Sequence, residues 1–108
     1  EALTRANGGK ATAEAVNAIN TVRARAHATQ KTSYSLDDIL DEWAREFYFE
    51  GRRRVDLIRF GKFGGNSDYK WQWKGGTYAG RNFDTYRNIY AIPASQLPTY
   101  DNVQNPGY

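Results

Sequence analysis

Apolar residues recur at helical spacing through the first 61 positions of this chain, and beyond Lys62 that period disappears. A fold built on it therefore has a helical part and a part that keeps its shape by other means. From Thr12 to about Ala26, the residues Ala15, Val16, Ile19, Val22 and Ala26 fall on one helix face, and Thr12 is placed to cap the first turn. Glu1 to Ala6 reads as the end of a helix already under way. Asn7-Gly8-Gly9-Lys10 terminates it, because glycine accepts the left-handed conformation that closes a helix. Together they make a helix-turn-helix pair of the kind stacked in helical repeat proteins. One pair cannot bury its own apolar face, so the chain reads as a fragment of a longer protein and is expected to fold poorly by itself.

His27 to Tyr34 is polar and aperiodic, which makes it a loop. Ser35 then caps the clearest helix of the sequence, with Asp38 three residues on as a shortened capping box. Asp37, Asp38, Asp41 and Glu42 crowd its first turns, where the helix dipole favours negative charge. Leu36, Ile39, Leu40, Trp43 and Phe47 form its apolar stripe, and Gly51 suits its C-terminal exit. A short second element follows, with Val55, Ile58 and Leu57 turned inward, ending at Gly61.

After Lys62, the glycine-rich runs Gly64-Gly65-Asn66-Ser67 and Gly75-Gly76 bracket Tyr69-Lys70-Trp71-Gln72-Trp73-Lys74, in which aromatic and polar residues alternate. That alternation fits one arm of a small hairpin or an ordered loop. Arg87 to Pro93 reads as extended, and the tail from Gln96 to Tyr108, with Pro98, Pro106 and Gly107, as an irregular docked strap. The chain divides into a helical part (1–61), an aromatic and glycine-rich loop or hairpin (62–89) and an extended strap (90–108), within a single region.

Composition narrows the function classes. The 108 residues carry a formal charge of +3, with basic and acidic side chains interleaved, which is weak support for nucleic-acid binding. There is no cysteine, so disulfides and thiolate metal sites are excluded. No apolar run approaches the roughly 20 residues of a membrane span. Aromatics reach 15%, which favours a packed core or an aromatic binding surface.

Few residues are candidates for chemistry. Arg52-Arg53-Arg54 is the sharpest basic cluster, but Glu46, Glu50 and Asp56 lie within helical reach, and Arg59 follows. Local ion pairing is the favoured reading over phosphate contact. Asp37, Asp38, Asp41, Glu42 and Glu46 offer the carboxylates of a glycosidase, yet such enzymes need two of them facing each other across roughly 5 to 10 Å. Here they share one helix, and no catalytic residue is nominated. His27 stands alone without a ligand spacing, so no metal and no cofactor is expected. Tyr69, Trp71, Trp73 and Tyr78 are the candidate ligand-binding residues, since exposed aromatic rings offer flat platforms to the C–H faces of sugars. Packing against the protein body is the heavier alternative for them.

Four segments resemble the SusD/RagB family of outer-membrane nutrient-binding lipoproteins of Bacteroidetes. They are Ile19-Asn20-Thr21-Val22-Arg23-Ala24-Arg25-Ala26, Glu42 through Arg53 with its Phe49-Glu50-Gly51, Val55-Asp56-Leu57-Ile58-Arg59-Phe60-Gly61, and Tyr90-Ala91-Ile92-Pro93 with the closing Gln104-Asn105-Pro106-Gly107-Tyr108. They occur in the family's order and cover most of the chain outside 62–86. The resemblance implies a mainly α fold, the C-terminal part of a tetratricopeptide-like helical protein with long irregular loops and at most a short β-hairpin. It implies non-enzymatic capture of nutrient glycans at the cell surface. The implied partner is a SusC-like TonB-dependent transporter, and the implied attachment is an N-terminal lipid anchor outside this chain. It also implies that the matched motifs, with Glu46, Glu50, Arg52, Arg53, Asp56 and Arg59, are scaffold ion pairs. A docking segment or a peptide binder without sugar contacts is the alternative.

Overall fold

A computed structural model describes residues 1–65, 69–98 and 102–108. All regular secondary structure among them is helical: α1 (Ala2–Ala6), α2 (Ala13–Arg25), α3 (Leu36–Glu46) and α4 (Arg53–Arg59), then single 3-10 turns at Lys74–Gly76, Thr85–Asn88 and Ala94–Gln96. β pairing among these residues is confined to isolated bridges, Lys10 with Ser35 and Gly64 with Phe83. The mainly α expectation holds. None of these helices is long and apolar enough to cross a membrane. The chain forms two compact units, Glu1–Arg53 and Arg54–Tyr108.

In the first unit, side-chain caps set where α2 and α3 begin. The Thr12 hydroxyl accepts from the Ala15 N–H at 3.2 Å. At α3 the capping box is complete: the Ser35 hydroxyl accepts from the Asp38 N–H at 3.1 Å, and the Asp38 carboxylate accepts from the Ser35 N–H at 2.8 Å. Such caps are worth about 1 kcal/mol each. The core gathers Ala15 of α2 and Ile39 and Leu40 of α3, with Thr4 of α1 and Tyr34. Tyr34 belongs to the segment read as a polar loop. Its hydroxyl donates to Asn20 Oδ1 at 2.5 Å and accepts from the Lys31 N–H at 3.1 Å, so one buried ring pins the whole loop to α2.

One boundary and one helix face differ from the sequence reading. The helix α3 stops at Glu46, five residues before Gly51, with the Phe47 N–H closing onto the Trp43 carbonyl at 3.1 Å. The chain then turns over Phe49, which takes φ 64°. In α4 the inward residues are Asp56 and Leu57, while Val55, expected inside, is 61% exposed. The face is rotated because the Asp56 carboxylate, 2.9 Å from the Arg59 guanidinium, is buried alongside Leu57.

The second unit replaces periodicity with single anchors. The guanidinium of Arg54 lies 3.7 Å from the centroid of the Tyr90 ring and 5.0 Å from that of Phe63, and donates to the Arg87 carbonyl at 2.7 Å. The closing segment is fastened residue by residue. The Gln104 amide accepts from the Ile92 N–H and donates to the Ile92 carbonyl, both at 2.9 Å, which imitates one rung of a β-ladder. Asn105 donates to the Tyr90 carbonyl at 2.8 Å and the Tyr108 hydroxyl to the Ile89 carbonyl at 2.7 Å. A Cβ at Gly107 would lie 2.5 Å from the Tyr86 ring, so only glycine passes there. Residues 99–101 of the expected strap lie outside the described residues, as do Asn66 and Ser67 of the first glycine-rich run.

Candidate functional site

The alternation of Tyr69, Trp71 and Trp73 does not become a strand with one aromatic face. Trp73 adopts φ 67°, ψ 4°, a left-handed conformation that reverses the chain and breaks the period. The four aromatics separate into two pairs. Tyr69 is half-buried and meets Trp71 edge-on at 6.3 Å, and Trp71 in turn meets Phe83 edge-on at 6.5 Å. Trp73 and Tyr78 pair with each other instead, with centroids 5.6 Å apart and planes at 82°. They are 64% and 61% exposed, against 38% for Trp71.

The organiser of this loop is Lys74, which the sequence reading passed over. Its side chain is fully buried. The ammonium donates to the Tyr69 carbonyl at 3.1 Å and to that of Lys62 at 3.4 Å, and lies 4.8 Å from the Trp71 ring and 5.3 Å from the Phe83 ring. Carbonyl dipoles and ring faces are what stabilise a cation away from water. Burial, followed by repulsion from Lys70, pushes the Lys74 pKa down. A lysine directly following Trp71-Gln72-Trp73 is the signal that was available, but nothing in it says that the amine faces inward.

Backbone bonds complete the loop. The Trp73 N–H donates to the Tyr78 carbonyl at 3.2 Å, that of Gly76 to Trp73 at 2.9 Å, and that of Arg81 to Lys74 at 3.0 Å. A Cβ on Gly80 would stand 2.5 Å from the Trp71 carbonyl oxygen. The Gln72 amide donates to the Tyr78 hydroxyl at 3.2 Å, which sets the outer ring of the exposed pair. The loop is thus a fixed support that carries Trp73 and Tyr78 outward.

In the first unit, the carboxylates of α3 are engaged locally. Asp38 serves the capping box and meets the Lys31 ammonium at 2.7 Å, and its pKa is lowered to about 2 by that bond first and by the Ser35 N–H and hydroxyl after it. Glu42 meets Arg23 at 2.5 Å and Arg45 at 2.9 Å, and Glu46 meets Arg25. Arg53 donates to the Leu40 carbonyl at 2.7 Å and stands 3.8 Å from Asp41. Arg52 lies over the rings of Trp43 and Phe47 at 4.3 and 4.5 Å. Glu50 is exposed on the turn after α3, and Asp56 meets Arg59 as described.

This unit also holds an apolar groove of about 320 Å³ between α2 and α3, lined by Ala18, Ile19, Val22, Ile39, Trp43 and Phe47 and rimmed by Glu1, Glu42 and Glu46. Among the described residues no group of three or more histidine, aspartate or glutamate side chains is arranged to hold a metal ion.

The sequence model of the SusD family matches residues 1–108. The starch-binding protein SusD of Bacteroides thetaiotaomicron is 48% identical over 103 residues, a match that covers 94% of this chain and 18% of that relative's length.

Proposed function

The chain belongs to the SusD family, and from that premise we propose that it serves the non-enzymatic capture of nutrient glycans at the bacterial cell surface. The observation that carries this reading is the 48% identity to a starch-binding relative, spread over nearly the whole chain. Starch-like α-glucans are therefore the first ligands to try. Delivery of the captured glycan to a SusC-like TonB-dependent transporter, with a lipid anchor holding the protein at the outer membrane, completes the proposal. In this reading α2, α3 and their ion pairs are scaffold. The carboxylates of Asp38, Glu42 and Glu46 are committed to caps and guanidinium partners, which argues against an acid and base pair for glycoside cleavage.

Affinity electrophoresis of the whole gene product through gels containing soluble polysaccharides tests the proposal. Retardation by one glycan class, with no reducing ends released, is the expected result. No retardation by any of them would reject glycan capture. It would turn attention to a docking role for exposed aromatics such as Tyr48 and Phe49, 74% and 91% exposed.

A further inference from the structure

Resting on the glycan-capture reading, we propose that Trp73 and Tyr78 form a carbohydrate contact, an aromatic corner that takes one pyranose ring at a bend or end of a neutral, curved glucan chain. Folding does not account for their placement. Both rings stay more than half exposed, although the neighbouring Trp71 ring and Tyr69 carbonyl lie against the buried Lys74 ammonium. Trp73 also holds a left-handed backbone, a conformation that disfavours a side chain of this size and that gathers at ligand clamps. An isolated exposed tryptophan would be unremarked. An exposed tryptophan on a strained residue, mounted on a loop with a buried anchor, is a presented one.

The chemistry of the corner selects its ligand. Sugar rings offer apolar C–H faces to aromatic rings, while the amphipathic edge of tyrosine supplies hydrogen bonds. Between positions 69 and 83 there is no carboxylate, so the corner is not built for a cation. The Tyr78 hydroxyl accepts from Gln72, which leaves its own proton and the Gln72 carbonyl oxygen for sugar hydroxyls, with exposed Thr77 beside them. Geometry narrows the class further. Planes at 82° present no common flat platform, so a straight β-1,4-linked ribbon can lie along one ring only. A bent α-linked chain sets successive faces at an angle and can use both. Because the loop is already hydrogen-bonded in place, little ordering accompanies binding.

The test uses the whole gene product in gels containing soluble amylopectin or hydroxyethylcellulose, comparing wild type with Trp73→Ala, Tyr78→Ala and Trp73→Phe, each checked by thermal melting. The expected result is a roughly three- to ten-fold weaker retardation by amylopectin for the two alanine variants, most of it kept by Trp73→Phe, with unchanged melting and little retardation of any form by hydroxyethylcellulose. Wild-type retardation by amylopectin that both alanine variants retain in full would overturn the corner and leave glycan capture standing. A loss matched by lowered melting in both alanine variants would also overturn it, as would equal dependence on these residues in hydroxyethylcellulose. Absence of wild-type retardation in either gel would reject capture of such glucans, and the corner with it.

Discussion

Glu1–Arg53 and Arg54–Tyr108 are of nearly equal length but are held by different physics. The first repeats one device in α2 and α3: an apolar stripe, a side-chain cap at the start, and charged residues paired along the flanks. The second has no repeating device. Its shape depends on a handful of polar side chains used once each, Arg54 under Tyr90, Lys74 under Trp71 and Gln104 across Ile92. A distributed fold tolerates small changes anywhere and fails at its core. A fold of single anchors fails wherever an anchor is removed, and fails locally. That difference suits the two tasks proposed, since a ligand-facing loop is best fixed by bonds that leave its outer surface uncommitted.

The contrast can be broken most strongly at Leu40, which is fully buried in α3. Leu40→Ala should lower the unfolding free energy by about 3 kcal/mol, seen in urea titration of the whole gene product, with amide protection lost across α2 and α3 together. Gly80→Ala comes next. The added Cβ meets the Trp71 carbonyl on a backbone at φ 73°, so a cost of about 2 kcal/mol is expected, with faster hydrogen exchange confined to 69–83. Exchange spreading into α2 or α3 would show that the second unit is not locally held.

Removing the ladder-like amide by Gln104→Ala should cost about 1 to 2 kcal/mol, because the Ile92 N–H and carbonyl both lose their partner. Its signature is cleavage near residues 90–108 in limited proteolysis, with α3 still intact.

The smallest effect is electrostatic. Asp38 has a carboxyl held at about 2, below the ordinary 3.8, chiefly by Lys31. The stability it gives is fully present above that ordinary value and is lost as pH falls from there through about 2. With a third of its side chain exposed, the worth is about 1 kcal/mol after solvent screening. Asp38→Asn should flatten the melting temperature between pH 4 and 2 relative to wild type. An unchanged acid limb would mean that the cap and the Lys31 bond do not matter in solution.

The sequence was legible where physics repeats. Thr12 and Ser35 announce their helices because capping needs a specific side chain at a specific offset, and the stripe of Ile39 and Leu40 follows from the helical period. The closing Gln104 to Tyr108 reads as a strap because Pro106 and Gly107 exclude regular structure. The exit of α3 was misplaced because two residues, Phe49 and Gly51, both take left-handed backbone there, and an aromatic in that role leaves no local mark. Tyr34 escaped because its burial depends on Asn20, fourteen residues away. The division of the loop's aromatic rings into two pairs escaped for the same reason in a sharper form. Period two in Tyr69, Trp71 and Trp73 is identical for a strand and for a loop that reverses at Trp73. Only the burial of Lys74, a long-range fact, separates the inner pair of rings from the outer.

The central claim, that the protein captures glycans without cleaving them, is met most directly by calorimetric titration of the whole gene product with maltoheptaose, followed by analysis of the sugar recovered from the cell. The account predicts a saturable heat of binding and maltoheptaose returned at its original length. Shortened oligosaccharides would contradict the non-enzymatic reading, and an absence of heat here and with every other glycan class would contradict capture itself.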